Sequence, residues 1–162
     1  MEARSGKVPN WYLDVSLLNK YWGSDRVYHH TAPVNMNFGM REALRLLAEE
    51  GLDQAWARHR SNAEALWTGL ESLGLSMHVP YERRLPTLTT VRIPDGVDGK
   101  AFSQHLLNTH GIEVGGGLGS LAGKIWRIGL MGFNSTPENV ARLLNLFETE
   151  LPKFSGSLAA AA

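Results

Sequence analysis

Three stretches of this sequence carry residues whose types and spacing suit chemistry. Arg127 lies in IWRIGL, where strand alternation puts Trp126, Ile128 and Leu130 on one face and Arg127 on the other with Ile125 and Gly129. A guanidinium beside apolar or absent side chains requires an anion. A protein carboxylate in a structural role meets that need, and so does a small-molecule carboxylate held bidentately. Tyr28 and Thr31 flank His29 and His30 in YHHT, near a helix entry, and two hydroxyls at that spacing suit a shared anion. Packing and capping explain the same residues without a ligand. Adjacent histidines in extended chain point opposite ways, and no carboxylate or third histidine stands at ligand spacing, so no metal is expected there.

The third stretch is the glycine-rich run GGGLGSLAGK, Gly115 to Lys124. Gly117, Gly119 and Ala122 match G-x-G-x-x-A, a form that approaches a pyrophosphate only where a helix opens behind it. KIWRIGL reads as a strand instead. A Walker loop fails too, because Leu118 takes the place of its first glycine and Ile125 follows Lys124 where Ser or Thr must bind magnesium. The run is expected to form a tight loop needing positive φ, placed to line a site.

The elements that must position these residues follow from periodicity. Asp14 before an apolar stretch ending at Gly23 predicts a short capped helix, and SDRVYHHTAP an ordered loop entering the next one. Met36, Met40, Ala43, Leu44, Leu47 and Ala48 recur at helical spacing until Gly51. A second stripe through Leu52, Ala55, Trp56, His59, Ala63, Leu66, Trp67, Leu70 and Leu73 runs about six turns, long enough to join two parts of a structure. After Gly74 the period shortens toward two. LSMHV and TLTTVRI predict strands, Ala101 to His110 a helix, and GIEV and KIWRIGL two more strands. Ser135 with Glu138 reads as a capping box opening a last helix, striped by Val140, Leu143, Leu144, Phe147 and Leu151. The expected organisation is a leader over 1–10, a helical part without its own sheet over 11–73, a small α+β domain with a mostly antiparallel sheet over 74–151, and a tail over 152–162.

Composition narrows the function classes. Lys plus Arg and Asp plus Glu number 16 each, so there is no electrostatic footprint for nucleic acid or an anionic membrane. With 43% apolar and 20% charged residues, the 162-residue chain lies outside the range of disorder and can bury a core. The absence of cysteine excludes disulfides, a thiolate metal site and a cysteine nucleophile. It suits a reducing compartment. No window approaches eighteen apolar residues and MEARSGKVPN has no apolar signal core, so a cytoplasmic location is the expectation.

The runs YWGSDRVYHHTAPVNMNFGMREALRLLAEEGL, RLPTLTTVRIPDGVDG and IEVGGGLGSLAGKIWRIGLMGFNS resemble, in order, the C-terminal half of alanine–glyoxylate (serine–pyruvate) aminotransferases. The resemblance covers residues 11–151 and is far more specific than a lone glycine motif. It implies an α/β fold type I enzyme that uses pyridoxal 5′-phosphate, works as a homodimer, and moves an amino group from alanine or serine to glyoxylate. Carried over by position, Tyr28 and Thr31 match residues that hold the cofactor phosphate of the neighbouring subunit. Arg127 matches the arginine that binds the α-carboxylate of amino acid and 2-oxo acid, with the glycine-rich loop closing over it. His29 and His30 receive no role. The reaction also needs a Schiff-base lysine, and none of Lys7, Lys20, Lys100, Lys124 and Lys153 sits in the family's lysine motif. No catalytic residue is therefore assigned. The expectation is a fragment, the end of the large domain plus the small domain, inactive alone. The rival expectation is a stand-alone α+β module that binds a small carboxylate without catalysis, with the apolar stripes of 11–73 covered internally.

Overall fold

The computed structural model describes residues 6–156, so the first five residues of the leader and the last six of the tail lie outside it. The chain divides into two compact units between Leu46 and Leu47. In the first unit, a 3-10 turn over Trp11–Leu13 is capped by the Asn10 side chain. Helix α1, Val15–Trp22, follows at once. The Asp14 carboxylate accepts the Ser16 N–H at 3.0 Å and Gly23 ends the helix, as the capping pattern predicts. An ordered loop then enters α2, Val34–Glu50. Neither α1 nor α2 buries a residue. Met36, Met40 and Leu44 lie on the predicted stripe of α2 and are exposed.

The second unit is built on α3, Leu52–Ser72, which starts after Gly51 in a positive-φ conformation and turns Ala55, Ala63, Leu66, Trp67 and Leu70 inward, whereas Leu52, Trp56 and Leu73 of the expected stripe are exposed, at the two ends of the helix where no described element covers them. Next come β1 (Leu88–Arg92), α4 (Gly99–His110), β2 (Gly115–Gly116), β3 (Ile125–Gly129) and α5 (Pro137–Glu150). The three strands form an antiparallel sheet in the order β1-β3-β2, so β3 lies in the middle. Helix α3 packs along α5. Phe102 of α4 meets Trp126 of β3 and Phe147 of α5 edge-to-face at 5.4 and 5.1 Å between ring centroids, and these fully buried rings centre the core.

Three local expectations shift. LSMHV makes a single bridge, Met77 to Val91, because Pro80 and the 3-10 turn over Tyr81–Arg83 end the extended run at once. GIEV is not a strand. Gly111 is left-handed (φ 65°), and the Gly111 and Ile112 amides return to carbonyls of α4, which consumes the segment as a helix cap. The strand falls instead on Gly115–Gly116. At α5 the cap is Thr136, whose hydroxyl accepts the Asn139 N–H at 3.2 Å. Ser135 is 0% exposed and receives hydrogen bonds from the Asn62 amide on both its carbonyl and its hydroxyl.

One polar link crosses the core from α3 to the sheet: the Trp67 indole N–H donates to Thr89 Oγ1 at 2.8 Å, both groups buried. Thr89→Val keeps the shape and removes the acceptor. The stranded indole N–H is expected to cost about 1–3 kcal/mol, measured as a lowered urea midpoint at constant slope.

Candidate functional site

Arg127 stands at the middle of the central strand, opposite Thr90 on β1 and Gly115 on β2. Its Nε donates to the Gly116 carbonyl at 2.7 Å, so the guanidinium lies across the short edge strand and is fixed at one end. That path exists because β2 has no side chains. A Cβ at Gly115 would lie 3.4 Å from Arg127 Nη2. Residue alternation thus holds as expected: Trp126 and Ile128 enter the core, while Arg127 is half-buried on the other face. Among the described residues no carboxylate forms an ion pair with Arg127. Among these residues its Nη groups thus have no carboxylate partner and are open to an anion from outside them.

The loop from β2 to β3 is closed by successive turns, Leu121 N–H to the Leu118 carbonyl and Lys124 N–H to the Leu121 carbonyl, both at 3.0 Å. Gly119 and Gly123 take positive φ as the glycine-rich composition requires. Gly117 is needed for room, since a Cβ there would sit 1.9 Å from the Leu121 carbonyl oxygen. A 3-10 turn over Gly119–Leu121 and then β3 follow, so no helix opens toward a pyrophosphate.

Tyr28 and Thr31 belong to the first unit, and the loop brings them together. The phenol and the threonine hydroxyl are 2.9 Å apart, with Tyr28 69% exposed. The histidines between them do scaffold work. Buried His29 stacks on Trp11 at 4.2 Å, and its Nε2 can only donate to the Trp11 carbonyl, 3.2 Å away. His29 Nδ1 is then left as acceptor for the His30 Nδ1–H at 2.8 Å. This pairing turns Tyr28 and Thr31 outward on one short stretch. Arg127 lies in the second unit.

Residues missed in the sequence hold the segment behind β3. Arg58 of α3 donates to the Gly132 and Ser135 carbonyls at 3.0 and 2.7 Å and pairs with Glu50 at 2.8 Å. The Gly132 N–H donates to His59 Nε2 at 3.0 Å. The only available signal was negative: Arg58 falls off the apolar stripe, which reads as a solvent face. The Arg58 hydrogen bond holds the Glu50 carboxyl below its ordinary range. A depressed carboxylate adds stability above its unfolded pKa and loses it as pH falls through the folded value. The stability gap between the native chain and Glu50→Gln is therefore expected to be full at pH 6 and to close below about pH 4 in parallel urea titrations.

Comparison with known proteins identifies the family. A family model described as aminotransferase class-V matches residues 12–143. The alanine–glyoxylate aminotransferase of Callithrix jacchus is 46% identical over 142 residues, which is 85% of this chain and 34% of that protein. The (S)-ureidoglycine–glyoxylate transaminase of Bacillus subtilis is 40% identical over 160 residues, 98% of this chain and 38% of that protein. Among solved structures, the alanine–glyoxylate aminotransferase from Nostoc sp. superposes with a TM-score of 0.86 at 65% identity, covering 91% of this chain and 39% of that one. The chain thus spans little more than a third of the length of the relatives it matches. With the family model running through both the YHHT loop and the arginine strand, the chain belongs to the class-V aminotransferases, and its mixed helix and sheet architecture is theirs.

Proposed function

We propose that this chain supplies the substrate-carboxylate and cofactor-phosphate contacts of a transaminase that moves an amino group from alanine or serine to glyoxylate. The observation that carries this is Arg127, anchored through Nε and without an ion-paired carboxylate among the described residues. Amino acid and 2-oxo acid share the α-carboxylate, so one fixed guanidinium serves both half-reactions and orients the carbon beside it. Tyr28 and Thr31 fit a phosphate: two hydroxyls, side by side and exposed, form a donor set for the phosphate of pyridoxal 5′-phosphate. When bound, that cofactor supplies the electron sink for the substrate's α-carbon. The phosphate it takes belongs to a second subunit in this reading, and the exposed apolar residues of α2 supply a surface for a homodimer.

None of the chain's lysines takes the covalent role here, so the isolated chain is expected to show no transamination. Lys153, for one, is engaged with Glu150 at 2.7 Å. A chimera tests the proposal: this chain replaces the matching stretch of the Nostoc enzyme. Alanine–glyoxylate turnover and the visible absorbance of bound pyridoxal phosphate are the expected result. A folded chimera that takes up cofactor and yet has no transaminase activity would overturn it.

A further inference from the structure

Where α4 ends beside the end of α5, three side chains meet that the aminotransferase reading does not use: His105, His110 and Glu150. One ligand atom from each lies within 4.8 Å of the other two, and all three residues are half-buried. His105 Nε2 and Glu150 Oε2 are 2.8 Å apart, and the two imidazoles meet nearly perpendicular, with centroids separated by 5.4 Å. His110 Nε2 is buried with no hydrogen-bond partner. A buried ring nitrogen normally has one, so His110 Nε2 is left free to bind a ligand beside His105 and Glu150.

We propose that His105, His110 and Glu150 form a binding site for a divalent transition ion, Zn²⁺ fitting best. Two imidazoles, which are borderline donors, with one carboxylate make a set that suits Zn²⁺ and not the oxygen-seeking Mg²⁺ or Ca²⁺. Three protein ligands leave a fourth position to water. Zinc bonds to N and O of about 2.0–2.2 Å place tetrahedral donors about 3.3–3.5 Å apart. The His105–Glu150 contact must therefore open by roughly half an ångström as the cation takes the place of the shared proton.

The surroundings already orient these ligands. With Nε2 on the metal, His105 Nδ1–H donates to Thr109 Oγ1, 3.2 Å away, and Lys153 holds the other Glu150 oxygen at 2.7 Å. Arg142 Nη2 donates to the His110 carbonyl at 2.6 Å and pins the backbone there. The His29–His30 pair offers no equivalent, since three of its four ring nitrogens are spent on each other and on Trp11 and, among the described residues, no third ligand joins them.

The test uses the 162-residue chain stripped of metal, titrated with Zn²⁺ against a chromogenic chelator and with Co²⁺ for its visible bands. One ion per chain is expected, with the intense Co²⁺ absorption of a low-coordinate nitrogen and oxygen site. His110→Ala and Glu150→Gln should each weaken Zn²⁺ binding at least tenfold, with circular dichroism reporting that each variant is folded. The double substitution of His29 and His30 by alanine should leave it unchanged. Because Glu150→Gln preserves size and one hydrogen-bonding oxygen, it keeps the test decisive should His110→Ala unfold. Unchanged affinity in the folded variants, loss of binding with the His29 and His30 substitutions alone, or no stoichiometric binding at micromolar Zn²⁺ would overturn the site. None of these outcomes depends on transamination.

Discussion

Arg127→Ala, made in the chimera with the Nostoc enzyme, should lower kcat/KM for both the amino donor and glyoxylate by about 10²–10⁴-fold. The size follows from two charge-assisted hydrogen bonds of about 1.5–3 kcal/mol each, since every 1.36 kcal/mol is a factor of ten in rate. Both substrates must suffer, because they share the carboxylate and differ elsewhere. Arg127→Lys should recover only a small part, as an ammonium is a point charge without the planar fork and cannot also reach the Gly116 carbonyl in the same geometry. Stability should hardly move. The side chain makes no ion pair among the described residues, and the one bond it loses is to a strand-edge carbonyl. Steady-state kinetics alongside a urea titration therefore separate a binding role from a structural one. An Arg127→Ala chimera with kcat/KM within threefold of the parent would remove the observation on which the proposed function stands.

How far the sequence announced this arrangement depends on the distance over which each feature is determined. Local signals were legible: Asp14 and Gly23 bound α1, Gly51 separates α2 from α3, and the period-two pattern of IWRIGL placed Arg127 opposite Trp126. The family resemblance added a role for Arg127 that alternation alone left open between two kinds of anion. Illegible features were those set by partners far along the chain. Ser135 looked like a helix cap and is instead claimed by Asn62, 73 residues away. GIEV has strand composition, but the left-handed Gly111 commits it to capping α4. The strand consequently slips onto two glycines, which propensity would never choose, and that slip is what lets Arg127 lie across the sheet edge. His105 and His110 read as ordinary positions of α4. Their meeting with Glu150 is a product of how α4 and α5 end.

Phe102→Ala is expected to be the most destabilising single change in the second unit, at about 3–5 kcal/mol. Phe102 is 0% exposed and lies edge-to-face with Trp126, Phe147 and Phe154, so truncation leaves a cavity bounded by three rings that cannot all collapse into it. With a urea slope of about 2 kcal/mol/M, the midpoint should fall by roughly 2 M. Phe133→Ala supplies the contrast, because that ring is 94% exposed and its loss should stay within about 0.5 kcal/mol. Equal effects of the two would mean that the aromatic cluster is not the core. The consequence reaches the site through one strand. Trp126 is held in the core by Phe102 and by its indole N–H on the Gly99 carbonyl at 3.0 Å, and its insertion fixes the register that sets Arg127 opposite Gly115. A one-residue slip of β3 would exchange the two, putting a guanidinium in the core and an indole at the sheet edge. Carboxylate binding should therefore weaken in Phe102→Ala over the same urea range in which the second unit unfolds, with both shifted to lower urea, whereas Arg127→Ala loses binding with the urea midpoint unchanged.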